Sequence, residues 1–276
     1  MAIAIVTDST ADLPDNLVQE KNIIVVPAIL VIDGKSLEDG RGITREDFYT
    51  CLPSMQIPPT TATPSIGSFE QIFEHLLRSG YQSVVSIHVS SLLSGIYNSA
   101  KTAAKSFKDY VKVIDSGQLS LGIGYQVLAA ADAAARGISL EGVLQEIEWV
   151  RQRVRVVAML DTLEYVRRSG RVSWAKARIS SVLNIKPYME VKEGKVLNLG
   201  QVRTRKKGIN GLLEMFFQTG AVEKMTILHT NAEKDAREIL SRIKVNLTEP
   251  PLIVNVTTIV GTHIGPNALG FAVVRK

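Results

Sequence analysis

Short β-branched runs alternate with segments of helical period along this chain, which is the pattern of βαβ units. The apolar runs predict strands at 2–6, 23–32, 83–89, 111–114 and 154–160. Between the second and third of these, SIGSFEQIFEHLLRSG sets Phe69, Ile72, Phe73, Leu76 and Leu77 at helical spacing, with Ser65 to cap the start and Gly80 to end it. Residues 44–47 carry a capping pattern, Thr44 followed three places later by Asp47, and SLEGVLQEIEWV from Ser139 offers another amphipathic helix. This half reads as a parallel sheet covered by helices. In the second half, IKPYMEVKEGKVLNLGQVRT holds two extended runs joined at Glu193-Gly194, a hairpin signal and hence antiparallel. Helices are predicted at 205–218 and 232–243, and strands at 225–229, 252–258 and 269–274. The expected architecture is α/β: two α/β domains, the first with a mainly parallel sheet and the second with a mixed sheet that includes the hairpin. With no internal repeat or low-complexity linker to mark a boundary, the division is placed near Leu160, giving domains 1–160 and 161–276.

Composition narrows the class of protein. A chain of 276 residues with 45% hydrophobic and 21% charged residues has enough apolar surface for two cores and is not an extended disordered chain. Cys51 is the only cysteine, so no internal disulfide is possible, and a zinc site would rest on histidines and carboxylates. The apolar run IIVVPAILVI falls far short of the ~20 residues of a membrane span. The start MAIAIVTDST lacks a basic region and turns polar by Thr7, as a buried first strand does and a signal peptide does not. A cytoplasmic protein without a transmembrane segment is expected.

Charge singles out one region. Residues 151–207 hold 15 Lys or Arg against 4 Asp or Glu, a balance of +11, while the remainder carries −6 and the whole chain +5. Such a segment suits a solvated face, nucleic acid, a membrane surface, or a partner bearing phosphates or acidic side chains. Nucleic acid is disfavoured, because Tyr165, Trp174 and Tyr188 are the segment's only aromatics and no zinc-finger or RNP signature is present. A phosphate-handling partner fits better.

Several chemistries are excluded or weakened by missing residues. A nucleophile elbow needs G-x-S-x-G, whereas Ser94 stands in LLSGI with no glycine two places before it. His88 or His263 could act as a base oriented by Asp8 or Asp115, but chain position does not say whether these groups meet. No Walker A loop occurs, and GIGYQV from Gly122 lacks the third glycine of the dinucleotide fingerprint. His75, His88, His229 and His263 have no metal-ligand spacing, and His75 sits in an amphipathic helix where a structural role is expected. Neither a metal nor a cofactor is expected. What remains is a set of hydroxyls at predicted carboxyl ends of strands: TDST (7–10), SSLLS (90–94) and DSGQLS (115–120). Open α/β sheets bind ligands at such ends, beside helix amino termini whose free N–H groups favour an anion. Each serine or threonine taken alone is a helix cap; their convergence points to a carboxylate held by neutral donors. The following helix, LGIGYQVLAAADAAARG, is rich in glycine and alanine, which either pack helix on strand closely or leave room for a long apolar ligand.

Six motifs carry a resemblance: VTDSTADLP, TTATPS, HVSSLLSGIYNSA, VIDSGQLSLGIG, LEYVRRSGRVS and GTHIGPNALG. In order and spacing they resemble the DegV family over essentially the whole chain. The resemblance implies two α/β domains with a long-chain fatty acid between them. It further implies a lipid-binding protein rather than an enzyme, the fatty-acid-binding subunit of a bacterial fatty acid kinase system serving phospholipid synthesis. That subunit presents the carboxylate to a separate ATP-dependent fatty acid kinase, which makes acyl-phosphate; transient membrane contact is compatible with this role. On the matching motifs, Thr61, Ser94 and His263 fall at the carboxylate, with Thr63 and Ser120 as further ligand-side hydroxyls, while Arg171, Arg203 and Arg205 fall where the kinase is met. Ser90 and Ser91 are caps or supporting donors. Three departures stand out: Ala62 in place of a usual serine, Ile96 in place of a usual threonine, and Ser169 in place of a common glycine. Two other readings are carried beside this one: an esterase or acyl-transfer enzyme using Ser94 and a histidine, and an interaction protein whose basic segment is its only functional surface.

Overall fold

The run IIVVPAILVI does not make one strand. Pro27 has no N–H to give to a ladder, and in the computed structural model, which describes residues 2–176 and 185–276, the run divides there between two sheets. Thirteen strands are found among the described residues: β1 (Ile3–Asp8), β2 (Ile23–Val26), β3 (Ile29–Ile32), β4 (Lys35–Glu38), β5 (Thr60–Ala62), β6 (Ser83–His88), β7 (Val111–Asp115), β8 (Val154–Met159), β9 (Lys186–Lys192), β10 (Lys195–Val202), β11 (Val222–His229), β12 (Leu252–Asn255) and β13 (Leu269–Arg275). The chain forms two compact units, Met1–Ile29 with Ala62–Val154, and Leu30–Thr61 with Arg155–Lys276.

The first unit is built on a four-stranded sheet of order β2-β1-β6-β7, parallel throughout. Every residue of β1 and β6 is buried. That explains their near-continuous apolar runs, since a parallel strand covered on both faces has no solvent side to alternate with. The helix Ile66–Arg78 is capped as expected, Ser65 accepting from the Ser68 amide, and the helix Leu140–Arg153 is capped by Ser139, which accepts from the Gly142 amide. Phe69, Phe73, Ile87 and Ile147 fill the core, each contributing roughly 1.5–3 kcal/mol by leaving water. The register sets His88 beside Asp115 and Thr7 beside Ile87, so the carboxyl ends of β1, β6 and β7 share one edge.

The second unit holds a six-stranded mixed sheet, β10-β9-β8-β13-β11-β12, and a small sheet, β4-β3-β5. β9 and β10 form the predicted hairpin, with Glu193 at φ 51 and Gly194 at φ 77 as a two-residue turn of this hand requires. β8 pairs antiparallel with β9. The run 154–160 therefore belongs to the mixed sheet, not to the first parallel one. A division of the chain at 160 misses both this and the grouping of Leu30–Thr61 with the second unit. Nothing local marks either feature: a strand's partner is fixed by side chains far away in sequence. The predicted strand 252–258 stops at Asn255, and Thr257 starts the helix Thr258–Ile264. Its β-branched residues go against helix propensity, but five of the seven are buried and packing decides. No helix among the described residues is long and apolar enough to cross a membrane.

Candidate functional site

In the first unit the hydroxyl loop SSLLS leaves the end of β6. The Ser94 hydroxyl oxygen accepts from the Ile96 amide at 3.4 Å, which leaves its own O–H to donate elsewhere, and the side chain is half-buried. Ser90 is a cap: its hydroxyl accepts from the Leu92 amide, and its carbonyl from the amides of Leu93 and Ser94. Ser91 gives its amide to Asp115. Thr63 is exposed, and its methyl lies 3.2 Å from where a Cβ on Gly95 would stand, so Thr63 adjoins the Ser94 loop. Ser120 has a different job. Held at φ 55, it is buried and donates its single O–H to Asp12, so in this arrangement it has no proton to offer a ligand.

His88 does meet Asp8, with Nδ1 2.9 Å from Oδ2, but its Nε2 faces Ser86 at 2.6 Å rather than Ser94. Ser86, His88 and Asp8 are all fully buried. The series has the order of a hydrolytic triad without room for a substrate carbonyl, which must approach the hydroxyl within about 3 Å. Among the described residues no histidine hydrogen-bonds to Ser94.

In the second unit His263 sits near the end of the helix Thr258–Ile264. Tyr49 donates to the carbonyls of Val256 and Thr257, and Thr258 donates to Asp39, which together fix the start of that helix. The turn that ends it requires glycine: Gly265 has φ 78, and a Cβ there would lie 2.2 Å from Tyr165. His263 Nε2 is 3.0 Å from Thr61 Oγ1. Both line a cavity of about 390 Å³ together with Pro58, Pro59, Tyr165 and Arg171. Burial, and after it the charge of Arg171, holds the His263 pKa down to about 4. The imidazole is thus neutral at pH 7. With its proton on Nε2 it donates to Thr61, and the threonine O–H is then free to turn to an anion in the cavity.

Arg171 is exposed at this cavity, its guanidinium donating to the Ser169 carbonyl at 2.6 Å. The Ser169 hydroxyl donates to the Val166 carbonyl and accepts from the Arg171 amide, so the departure from glycine adds a tie across the turn. Arg203 is exposed just beyond β10. Arg205 is instead engaged within the unit, with Asp235 at 2.6 Å, Asp161 at 3.3 Å and the Asn267 carbonyl at 2.9 Å. Arg178, counted in the basic segment, lies outside the described residues.

The geometry thus joins Thr61 to His263 and Arg171, and Thr63 to the Ser94 loop. It turns Ser120 and Arg205 toward internal partners. Sequence reasoning missed Asp12 and Tyr165; the second aspartate of TDSTAD was the one available hint.

The family model described as "Uncharacterised protein, DegV family" matches residues 2–276. A DegV domain-containing protein of Caldanaerobacter subterraneus is 36% identical over 97% of each chain. Among solved structures, a DegV family protein from Thermus thermophilus, described as binding fatty acid, is 32% identical with a TM-score of 0.92 and full coverage of both chains. DegV of Bacillus subtilis, described as a fatty acid binding protein, is 30% identical with a TM-score of 0.87, again over the whole of both chains. A match of this extent, over the same motifs that frame Thr61, Ser94 and His263, means that the chain belongs to the DegV family.

Proposed function

We propose that this protein binds a long-chain fatty acid and presents its carboxylate to a separate ATP-dependent fatty acid kinase for acyl-phosphate formation, acting in the cytoplasm as a lipid-binding protein and not as the enzyme. The observation that carries the reading is the Thr61–His263 pair at 3.0 Å in a cavity that Arg171, exposed at its edge, also lines. The whole-chain likeness to two proteins described as binding fatty acid supports it. Ser94 is proposed as a further carboxylate donor, with Thr63 beside its loop.

The chemistry follows from the charge of these groups. A carboxylate held by hydroxyls and a neutral imidazole keeps more electron density on its oxygens than one clamped by two arginines. That density is what the transfer uses. A carboxylate oxygen attacks the γ-phosphorus of ATP, the bond to the β,γ-bridging oxygen breaks, and ADP departs, leaving an acyl-phosphate. Arg171, and with it Arg203, is proposed to face an acidic or phosphate-bearing surface of the kinase, for which a planar guanidinium is suited.

The test is extraction and mass spectrometry of lipid from freshly purified protein. About one long-chain fatty acid per chain is expected, because burial of an alkyl chain contributes ~0.8 kcal/mol per CH₂. Protein that yields no stoichiometric lipid and takes up no added palmitate or oleate overturns the proposal.

A further inference from the structure

We infer that Asp8 and Asp115, which end β1 and β7, are positioning residues for Ser94; what Ser94 holds rests on the fatty-acid reading above. Six consecutive amides, from Val89 to Ser94, each have an acceptor. Val89 donates to Asp8 at 3.2 Å, Ser90 to the Gln118 carbonyl at 3.0 Å, and Ser91 to Asp115 at 3.2 Å. Leu92 donates to the Ser90 hydroxyl at 3.2 Å, and Leu93 and Ser94 donate to the Ser90 carbonyl at 2.9 and 3.1 Å. A loop bonded at every amide samples few conformations, so the Ser94 hydroxyl is oriented on folding instead of on ligand binding.

The two carboxylates anchor this run from neighbouring strands. The oxygen of Asp8 that takes Val89, Oδ2, also lies 2.9 Å from His88 Nδ1, and its other oxygen, Oδ1, takes the Thr10 amide at 3.0 Å and the Thr10 hydroxyl. Phe69 packs edge-on against the His88 ring at 5.2 Å and closes that side. The other oxygen of Asp115 takes the Gly117 amide at 2.9 Å. Each aspartate thus ties the loop after β6 to the loop after its own strand, through charged acceptors that are roughly twice as strong as neutral ones.

Asparagine tests this without changing shape. Its NH₂ must face one of the two backbone amides that the carboxylate accepts, so one tie is lost whichever way the side chain turns. Lipid-stripped Asp8→Asn and Asp115→Asn proteins are compared with the parent by hydrogen–deuterium exchange over residues 89–94 and by calorimetric titration with palmitate and oleate. Faster exchange in that segment and about tenfold weaker binding are expected, or 1.4 kcal/mol per decade. Ser139→Ala, which removes the cap of the helix Leu140–Arg153 in the same unit, should lower the Tm and change neither readout. A variant that folds and binds both acids like the parent overturns the inference. If Asp8→Asn does not fold, Asp115→Asn decides alone. If the parent itself binds neither acid, the fatty-acid reading falls, and the exchange rates still decide whether the aspartates fix the loop.

Discussion

His263 should be neutral throughout the physiological range, and its titration is measurable. Its pKa is held at about 4, first by burial and then by Arg171, whereas the unfolded chain titrates at the ordinary 6.5. Between those values the unfolded chain binds a proton that the folded protein does not. Stability contributed by this residue is therefore complete above pH 6.5 and is lost as pH falls toward 4. At 1.36 kcal/mol per pKa unit the full effect is about 3 kcal/mol, and partial exposure of the ring reduces it to roughly 2–3. The assay is urea unfolding of the parent and His263→Gln from pH 7.5 to 4.5. The difference between the two curves isolates His263, because His229, which burial also pushes down, is common to both. The parent should lose stability faster than the variant on acidification, and an NMR titration of the imidazole should find its midpoint well below 6.5. Arg171→Gln should raise that midpoint and still leave it low, burial being the larger cause. A parent midpoint at or above 6.5, or a flat difference curve, would refute the neutral-donor reasoning.

Ser94→Ala and Thr61→Val should each weaken fatty-acid retention by one to two decades, as loss of a hydrogen bond to a charged group costs roughly 1.5–3 kcal/mol, with circular dichroism unchanged. Arg171→Ala should hold fatty acid as the parent does yet fail to support acyl-phosphate formation with a cognate kinase and ATP. The parent's activity in that assay should fall as salt rises; equal product from Arg171→Ala and parent at limiting protein would return Arg171 to a solvated face. Arg205→Ala should act on stability, since it leaves Asp161 and Asp235 without their shared partner; for groups this exposed a loss of about 1–2 kcal/mol in urea unfolding is expected, and no loss would contradict the clamp.

The elements with local signatures were legible in the sequence. The apolar runs of β1 and β6, the caps Ser65 and Thr44, and the Glu193-Gly194 turn all declare themselves within a few residues. Long-range pairing did not. His88 and Asp8 stand 80 positions apart and meet because β6 pairs with β1, and Thr61 and His263 are separated by 202. The second of these pairs came from family resemblance alone. Ser120 shows a further limit. Its hydroxyl reads as a ligand donor until the φ of 55 and the buried Asp12 are known, and a left-handed serine has no marker in the sequence.

The interleaving of the two units also bears on how the chain is made. Leu30–Thr61 emerges from the ribosome before Ala62–Val154, yet the rest of its own unit, Arg155–Lys276, comes only after. At 5–20 residues per second that delay is on the order of ten seconds. Throughout it Phe48 and Tyr49, buried in the finished unit, lack the helix Thr258–Ile264 whose Gly261 leaves space for the Tyr49 ring. The first unit meanwhile has all of its own strands and is free to fold around the excursion. A fragment cut at 160 would keep that order of events and never end it, holding two aromatic side chains in water with no partner still to be synthesised.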